Sequence, residues 1–194
     1  AGTMTELEDI YLPYRPKRRT KATIAREKDL EPLALALLAQ SGADPEALSA
    51  DYVDPEKAVN TIEDALSGAR DIIAEIINED QQVRSRVREL FFDKATIRSR
   101  VVDGNEEEGA KYKDYFQWEE AAAAAPSHRI LAMRRGEKED ILSLSIAPQT
   151  ELALAAIEDC VVADSGPDSE QVRMAAHDAY KRLLSRSMET EIRV

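Results

Sequence analysis

Residues 59–76, VNTIEDALSGARDIIAEI, repeat apolar side chains in alternating steps of three and four. This spacing places them on one face of an α-helix and lies close to the 3.5-residue repeat of a coiled coil. Three heptads are too few to require a coiled coil, so the interpretation we favour is a helix packed in an antiparallel bundle. The residues of this seam are Val59, Ile62, Leu66, Ala69, Ile73 and Ile76.

Two Asp-Pro pairs upstream of the seam predict where helices begin. Asp44-Pro45 and Asp54-Pro55 each place a capping carboxylate before a proline whose fixed φ suits the first helical turn. The seam helix is therefore expected to begin at Pro55.

Further capping signals lie near the N-terminus. Thr5 and Glu8 have the spacing of a capping box, which predicts an N-terminal helix, and Thr20 is the expected cap of a second helix. Two short helices around residues 27–32, EKDLEP, have the spacing of a helix-turn-helix-like pair.

The period changes in the second half of the chain. TIRSRVV (96–102) and ILSLSI (141–146) alternate in polarity, which is typical of half-buried strands, and two lone strands are expected to pair. AKYKDYFQWEEAAAAA (110–125) is predicted to be a helix that ends before Pro126.

These patterns predict a mainly α fold, a multi-helix bundle with a helix-turn-helix-like element and two short β-strands. The expected division is a helical subdomain at 1–95, a mixed segment with both strands at 96–147, and C-terminal helices at 148–194. The last of these helices, near Met188, has no stop signal and is expected to continue in a longer protein.

The composition excludes several classes of protein. The chain has 194 residues, 43% hydrophobic and 33% charged, which is typical of a globular protein and not of a disordered one. A single cysteine, Cys160, excludes an internal disulfide framework and fits a reducing compartment. No apolar run is long enough to span a bilayer and the first residues do not have the apolar stretch of a signal peptide, so a cytoplasmic location without membrane contact is expected.

Signals of catalysis are missing from the sequence. There is no glycine-rich nucleotide-binding motif, and the two histidines, His128 and His177, are far apart and outside any metal-ligand spacing. The acidic run Glu106–Glu108 beside Gly104 is better interpreted as a solvated turn than as paired catalytic carboxylates. We therefore expect no enzymatic activity, no metal and no cofactor.

Positive charge is concentrated near the N-terminus of an acidic chain. Residues 15–28 hold seven Lys or Arg and one acid, Glu27, a net charge of +6, while the whole chain carries −12. Clustered cations suit phosphate binding because each neutralised phosphate releases counterions. A second basic group includes Lys94, Arg98 and Arg100. A third basic group is Arg129, Arg134, Arg135 and Lys138. The aromatic residues that could stack on unpaired bases are Tyr11, Tyr14, Tyr112, Tyr115, Phe116 and Trp118.

Two other interpretations of these cations remain open. Lys and Arg on the helices of an acidic protein usually pair with nearby acids and stay solvated. The segment rich in proline and arginine is also suited to fastening one helical layer to the next, with its cations bound to the protein's own carboxylates.

Four stretches, in this order, resemble the bacterial Tex proteins, which are transcription accessory factors. They are TELEDIYLPYRPKRRTKATIAREKDLEPLA (5–34), VVDGNEEEGAKYKDYF (101–116), PSHRILAMRRGEKEDILSLSI (126–146) and SMETEIR (187–193). The resemblance implies a multi-domain nucleic-acid-binding protein with a helical N-terminal region, a ribonuclease-H-like domain, helix-hairpin-helix motifs and an S1 domain. This chain matches the helical region and is expected to stop before the ribonuclease-H-like domain.

The resulting hypothesis is a helical scaffold of a Tex-like protein that contributes to non-specific binding of RNA or DNA. The alternative is a protein-interaction scaffold that docks on transcription machinery or on downstream domains. The residues expected to contact phosphates are Arg15, Lys17, Arg18, Arg19 and Lys21, with Lys94, Arg98 and Arg100 as a second patch.

Overall fold

A computed structural model describes residues 2–194 and shows a mainly helical chain with one small antiparallel sheet. The predicted fold class is confirmed, although three strands are present within these residues where two were expected. The helices are α1 Met4–Tyr11, α2 Lys21–Glu27, α3 Glu31–Leu38, α4 Pro45–Ala50, α5 Ile62–Glu79, α6 Gln81–Lys94, α7 Ser127–Lys138, α8 Thr150–Val161, α9 Pro167–Ala179 and α10 Ser185–Ile192. The strands are β1 Thr96–Val101, β2 Gln117–Ala121 and β3 Leu142–Ala147.

The chain forms two compact units. The larger unit contains the residues up to Arg86 together with Leu154–Leu184, and the smaller unit contains Val87–Ala153 and Ser185–Val194. Each unit is thus built from two separate stretches of chain. The division into three consecutive segments expected from the sequence is a different partition and stays a prediction.

Helix α5 is the centre of the larger unit and packs against α2, α3, α4 and α9. Its buried face includes Leu66, Ala69, Ile72 and Ile73, which lie against a core that α3 lines with leucines. Gly68 allows close contact with α2 and the residues after it, because a Cβ there would stand 2.3 Å from the buried Leu30 side chain. The amphipathic pattern of the seam is therefore satisfied by packing inside a bundle.

The predicted start of α5 at Pro55 is wrong, since the helix begins at Ile62. Residues 55–57 form only a 3₁₀ turn, and Ala58 has a left-handed φ of 58° that interrupts any continuous helix. A capping box between Thr61 and Asp64 supplies the actual start.

The other predicted helix caps agree with the structure at two positions and differ from it at one. The predicted caps Thr20 and Asp44 are confirmed, each with a side-chain oxygen that accepts a backbone N–H of the following helix. The predicted capping box at Thr5 is wrong, because Thr3 and Glu6 form it two residues earlier. Helices α2 and α3 occupy the predicted positions, and a helix-turn-helix function for them stays a prediction.

A buried polar clasp involves residues 161–169 and the loop after α3. Asp168 is fully buried and accepts the backbone N–H groups of Gly42 at 2.8 Å and Ala43 at 3.1 Å. The Gln40 side chain donates to the Val161 carbonyl and accepts from the Ala163 N–H, both at 2.8 Å. The loop after α3 is thereby joined to the loop between α8 and α9, which closes the larger unit.

The sheet of the smaller unit has the strand order β2–β1–β3. The predicted pairing of 96–102 with 141–146 is confirmed, with Ile97 opposite Ile146 and Ser99 opposite Leu144. The inner side packs on α7 and on the 3₁₀ turn Ala110–Tyr115.

The predicted helix over 110–125 is wrong, because β2 lies within it. Residues 117–121 alternate, with Trp118 and Glu120 partly buried and Gln117, Glu119 and Ala121 exposed. Pairing with β1 overrides the helical propensity of the glutamates and alanines, as tertiary context commonly does.

Candidate nucleic-acid interface

The basic segment connects α1 to α2 and lies in the larger unit. A 3₁₀ turn over Leu12–Tyr14 precedes it, and residues 15–19 have no regular secondary structure. Thr20 ends the segment, and its hydroxyl accepts the Thr23 N–H at 3.1 Å. Tyr14 is 78% exposed at the start of the segment. The backbone is thus fixed at both ends while most of its side chains face solvent.

One lysine of this segment is directed inward. The Lys17 ammonium donates to Glu75 at 3.1 Å and also contacts Glu79. Glu75 additionally accepts from Arg26 at 2.6 Å and from the Thr20 hydroxyl at 3.2 Å. We name these five residues the Glu75 cluster. They fasten the segment and α2 to α5.

The pKa values of the cluster follow from this geometry. Burial alone would raise the pKa of Glu75, but hydrogen bonds from Arg26 and Lys17 outweigh it and hold the pKa below its usual value. For Lys17, burial alone would lower the pKa, yet hydrogen bonds to Glu79 and Glu75 raise it. Both partners are therefore charged at neutral pH.

The other cations of the segment differ from Lys17. Arg15, Arg18 and Lys21 are exposed and make no ion pair within the described residues. Arg19 pairs with Glu27 at 3.0 Å, with both side chains more than half exposed. A pair of this kind contributes little stability, so Arg19 can exchange its partner for a phosphate.

Lys21 borders a polar hollow of about 170 Å³ between α2 and α5. Asp71 also lines it, and burial raises the pKa of that carboxyl while the charges of Lys21 and Arg182 oppose the rise. Lys21 thus has an acid nearby, whereas Arg15 and Arg18 do not have one in their contacts.

The second predicted patch lies in the smaller unit, on and beside β1. Arg98 pairs with Glu119, its direct neighbour on β2, at 2.9 Å. Arg100 donates to the Ser99 carbonyl at 3.0 Å, and Lys94, at the end of α6, is exposed with no ion pair in the part of the chain that the structure describes. The patch therefore offers one unpaired cation and two that are engaged locally.

Most of the aromatic residues proposed for base stacking are packed within the protein. Trp118 lies under Arg129, whose guanidinium is 4.9 Å from the ring centroid, and meets the edge of Tyr115. Tyr112 is buried in the core of the smaller unit. Tyr11 and Tyr14 are the exposed members of the set, and they directly precede the basic segment.

Glu75 is the residue of the site that the sequence interpretation missed. It follows the buried residues Ile72–Ala74 and is itself buried, although it carries a charge. A glutamate between apolar positions of a helix is a readable signal, because burial of a carboxylate requires donors. Glu79, one turn later, strengthens that signal.

The potential metal ligands of residues 2–194 are His, Cys, Asp and Glu side chains. No set of three or more His, Cys, Asp or Glu side chains in this range is arranged to hold a metal ion. His177 contacts Glu158 at 2.5 Å on the surface, and burial raises the pKa of the Cys160 thiol. No helix in the same range is both long and apolar enough to cross a membrane.

Comparison with known proteins gives a consistent result. The Tex central region-like family model matches residues 40–194. Protein tex of Bordetella pertussis is 44% identical over 84% of this chain and 20% of its own length. The transcriptional accessory protein Tex of Neisseria gonorrhoeae is 43% identical over 78% of the chain and 20% of its own length.

A human relative, S1 RNA-binding domain-containing protein 1, is 30% identical over 74% of this chain and 15% of its own length. The chain thus spans a fifth or less of these relatives. Since the family model covers most of its residues, the chain belongs to the Tex family and contains that family's central region-like domain.

Proposed function

We propose that this region is a helical scaffold that contributes to non-specific nucleic-acid binding through the segment between α1 and α2. The observation that carries the proposal is the unpaired state of Arg15 and Arg18, exposed on a short segment whose ends are fixed. Lys21 adds a third cation, and Arg19 is free to change its partner. Unpaired guanidinium groups bind phosphate oxygens in their planar fork geometry.

The position of the tyrosines favours unpaired bases as the ligand. Tyr11 and Tyr14 are exposed immediately before the cations, so a single strand can place bases on the rings and phosphates on the arginines. The names of two relatives, a transcriptional accessory protein and an S1 RNA-binding domain-containing protein, support a nucleic-acid partner for the longer proteins. Catalysis is not part of the proposal.

Lys17 has a different role in this proposal. Glu75 and Glu79 hold its ammonium, so we assign it to positioning the segment and leave it out of the phosphate contact. Arg98 forms an exposed pair with Glu119 and Arg100 donates to a backbone carbonyl, so the second patch has fewer unpaired cations than the first and is the weaker candidate.

The test measures binding of a fluorescein-labelled single-stranded RNA across a salt series, for wild type and for Arg15→Ala/Arg18→Ala/Lys21→Ala. Each phosphate contact to a single strand contributes about 0.7 to the slope of log K against log salt, so the triple variant should reduce the slope by about 2. Tyr14→Ala should weaken binding by about 1 kcal/mol or more if a base stacks on the ring.

The matched control is Lys57→Ala/Arg86→Ala/Arg173→Ala, which removes the same charge from exposed or partly exposed positions of the larger unit outside residues 15–28. If the control weakens binding as much as the triple variant, only the overall charge matters and the segment is not the contact. If wild type binds no RNA even at low salt, a protein-interaction scaffold becomes the better proposal.

A further inference from the structure

Helix α7, in the smaller unit, exposes a face that combines positive charge with a large apolar side chain. Arg134, Arg135 and Lys138 lie three, four and seven residues after Leu131, so all four side chains share one side of the helix. Leu131 is 65% exposed. We name these four residues the α7 stripe.

The carboxylates near the stripe are already engaged by other cations. Arg193 binds both oxygens of Glu137, at 2.7 and 2.8 Å. Lys111 binds Glu139 at 2.6 Å. Arg134 reaches Glu137 only at 4.0 Å, and within the described residues Arg135 and Lys138 form no ion pair.

The stripe therefore carries positive charge that its surroundings do not neutralise, in a chain of net charge −12. The C-terminal end of the helix dipole stabilises cations in the last turn and accounts in part for Arg135 and Lys138. It does not account for the exposed leucine.

An apolar cleft of about 210 Å³ adjoins the stripe, since Arg134 belongs to the stripe and also lines the cleft. An apolar cavity of about 150 Å³ is enough to hold benzene, so the cleft has room for one large apolar side chain. Phe92 remains 54% exposed at this cleft. The main apolar residues of the lining are Phe92, Ile97, Ala122, Ile130, Ile146 and Ile192.

We propose that the stripe and the cleft together form a docking groove for an acidic peptide segment with one large apolar anchor residue. The unneutralised cations define the charge of the partner, and the cleft defines the anchor. A nucleic-acid backbone would use the cations but would leave the apolar cleft empty. The groove shares no residue with the proposed phosphate contact, and the two proposals can fail independently.

The test begins with a display library of random peptides, about twelve residues long, selected on the whole wild-type chain at physiological salt. The selected peptides should carry Leu, Phe or Trp flanked by Asp and Glu. A fluorescein-labelled peptide of the selected sequence is then measured by fluorescence polarisation. Arg134→Glu/Arg135→Glu should weaken its binding by about tenfold or more, because two cations that attract the acidic peptide are replaced by carboxylates that repel it.

A second variant examines the cleft separately. Ala123 is exposed and lines the cleft. Ala123→Leu should therefore fill part of the cleft and weaken peptide binding by about fivefold without unfolding the unit. The matched control is Arg98→Glu/Arg100→Glu, the same charge change on β1, which should leave peptide affinity unchanged. The circular dichroism and the fluorescence of Trp118 verify that each variant is folded.

Several results would overturn the proposal. Selection of peptides without acidic residues would do so, as would binding that survives both groove variants. Displacement of the peptide by an oligonucleotide that itself depends on Arg134 and Arg135 would identify a nucleic-acid surface instead. Self-association lost in Arg134→Glu/Arg135→Glu would show that a second copy occupies the groove.

Discussion

The buried carboxylates of the larger unit and the exposed charges on the sheet of the smaller unit differ in their contact with solvent and in the number of groups that bind them. Glu75 and Asp168 are removed from water and collect donors from segments far away in sequence. Arg98 and Glu119 face each other across two strands with about half of each side chain in solvent.

The difference shows what burial does to a charge. A buried carboxylate must be satisfied by several donors, so it is committed to structure and its loss is costly. A half-exposed pair exchanges its partners with water at little cost, so its charges remain available to ligands. The following predictions test this difference, from the largest expected effect to the smallest.

The largest effect is expected at the clasp. Asp168→Ala removes the acceptor of two loop N–H groups and of the Ser169 N–H, at 2.9 Å, and should lower the free energy of unfolding by about 3 kcal/mol. Urea unfolding followed by circular dichroism measures it. Asp164→Ala is the control, since within residues 2–194 that exposed carboxylate accepts only the neighbouring Ser165 N–H, and its loss should cost less than about 0.5 kcal/mol. Equal losses of unfolding free energy in the two variants would show that the burial of Asp168 is not the cause of its effect.

A smaller loss is expected in the Glu75 cluster. Glu75→Gln keeps the shape but leaves Lys17 and Arg26 without their shared anion, and should cost about 2 kcal/mol because both cations are partly exposed. Glu63→Gln on the same helix is the control, as its carboxylate is 70% exposed and pairs with Arg70. A cost below about 0.5 kcal/mol for Glu75→Gln would show that the cluster does not fasten the segment.

The same cluster should make stability depend on pH in a defined direction. The pKa of Glu75 in the folded protein lies below its ordinary 4.5, so its contribution is complete above that pH and is lost as the pH falls through the lowered value. The stability difference between wild type and Glu75→Gln should therefore shrink below about pH 4.5. Urea unfolding of both proteins between pH 7 and about pH 3 measures it, and a difference that grows in acid would contradict the assignment.

Much of the helical fold could be predicted from local signals. Within the predicted seam, Leu66, Ala69 and Ile73 are buried at the spacing of an amphipathic helix, whereas Val59 precedes α5 and Ile62 is exposed. Thr20 is a cap recognisable from its own neighbours. The pairing of β1 with β3 followed from alternation and from the absence of other partners in the prediction. The helical period and the cap depend on interactions within a few residues, whereas the strand pairing joins residues more than forty positions apart and was inferred by elimination.

The errors have a different physical origin. Strand β2 is held by pairing with β1, and its glutamates and alanines prefer a helix when isolated. The clasp depends on contacts between residues more than a hundred positions apart, such as Gln40 with Ala163. Within the basic segment, Lys17 and Arg18 are neighbours of similar charge, and only the position of Glu75 and Glu79 separates their environments.

The smallest effect is expected on the sheet surface. Arg98 and Glu119 lie directly opposite on β1 and β2, and their coupling in a double-mutant cycle with alanine should be about 0.5 kcal/mol, since solvent screens the pair. Trp118, the single tryptophan of the chain, lies on β2, so its fluorescence reports unfolding of this sheet. The coupling should decrease further in high salt because the charges are exposed. A coupling near 2 kcal/mol that persists in high salt would place this pair with Glu75 and Asp168 as a structural interaction. In that case exposure would not separate the two regions, and Arg98 would not be available for a phosphate.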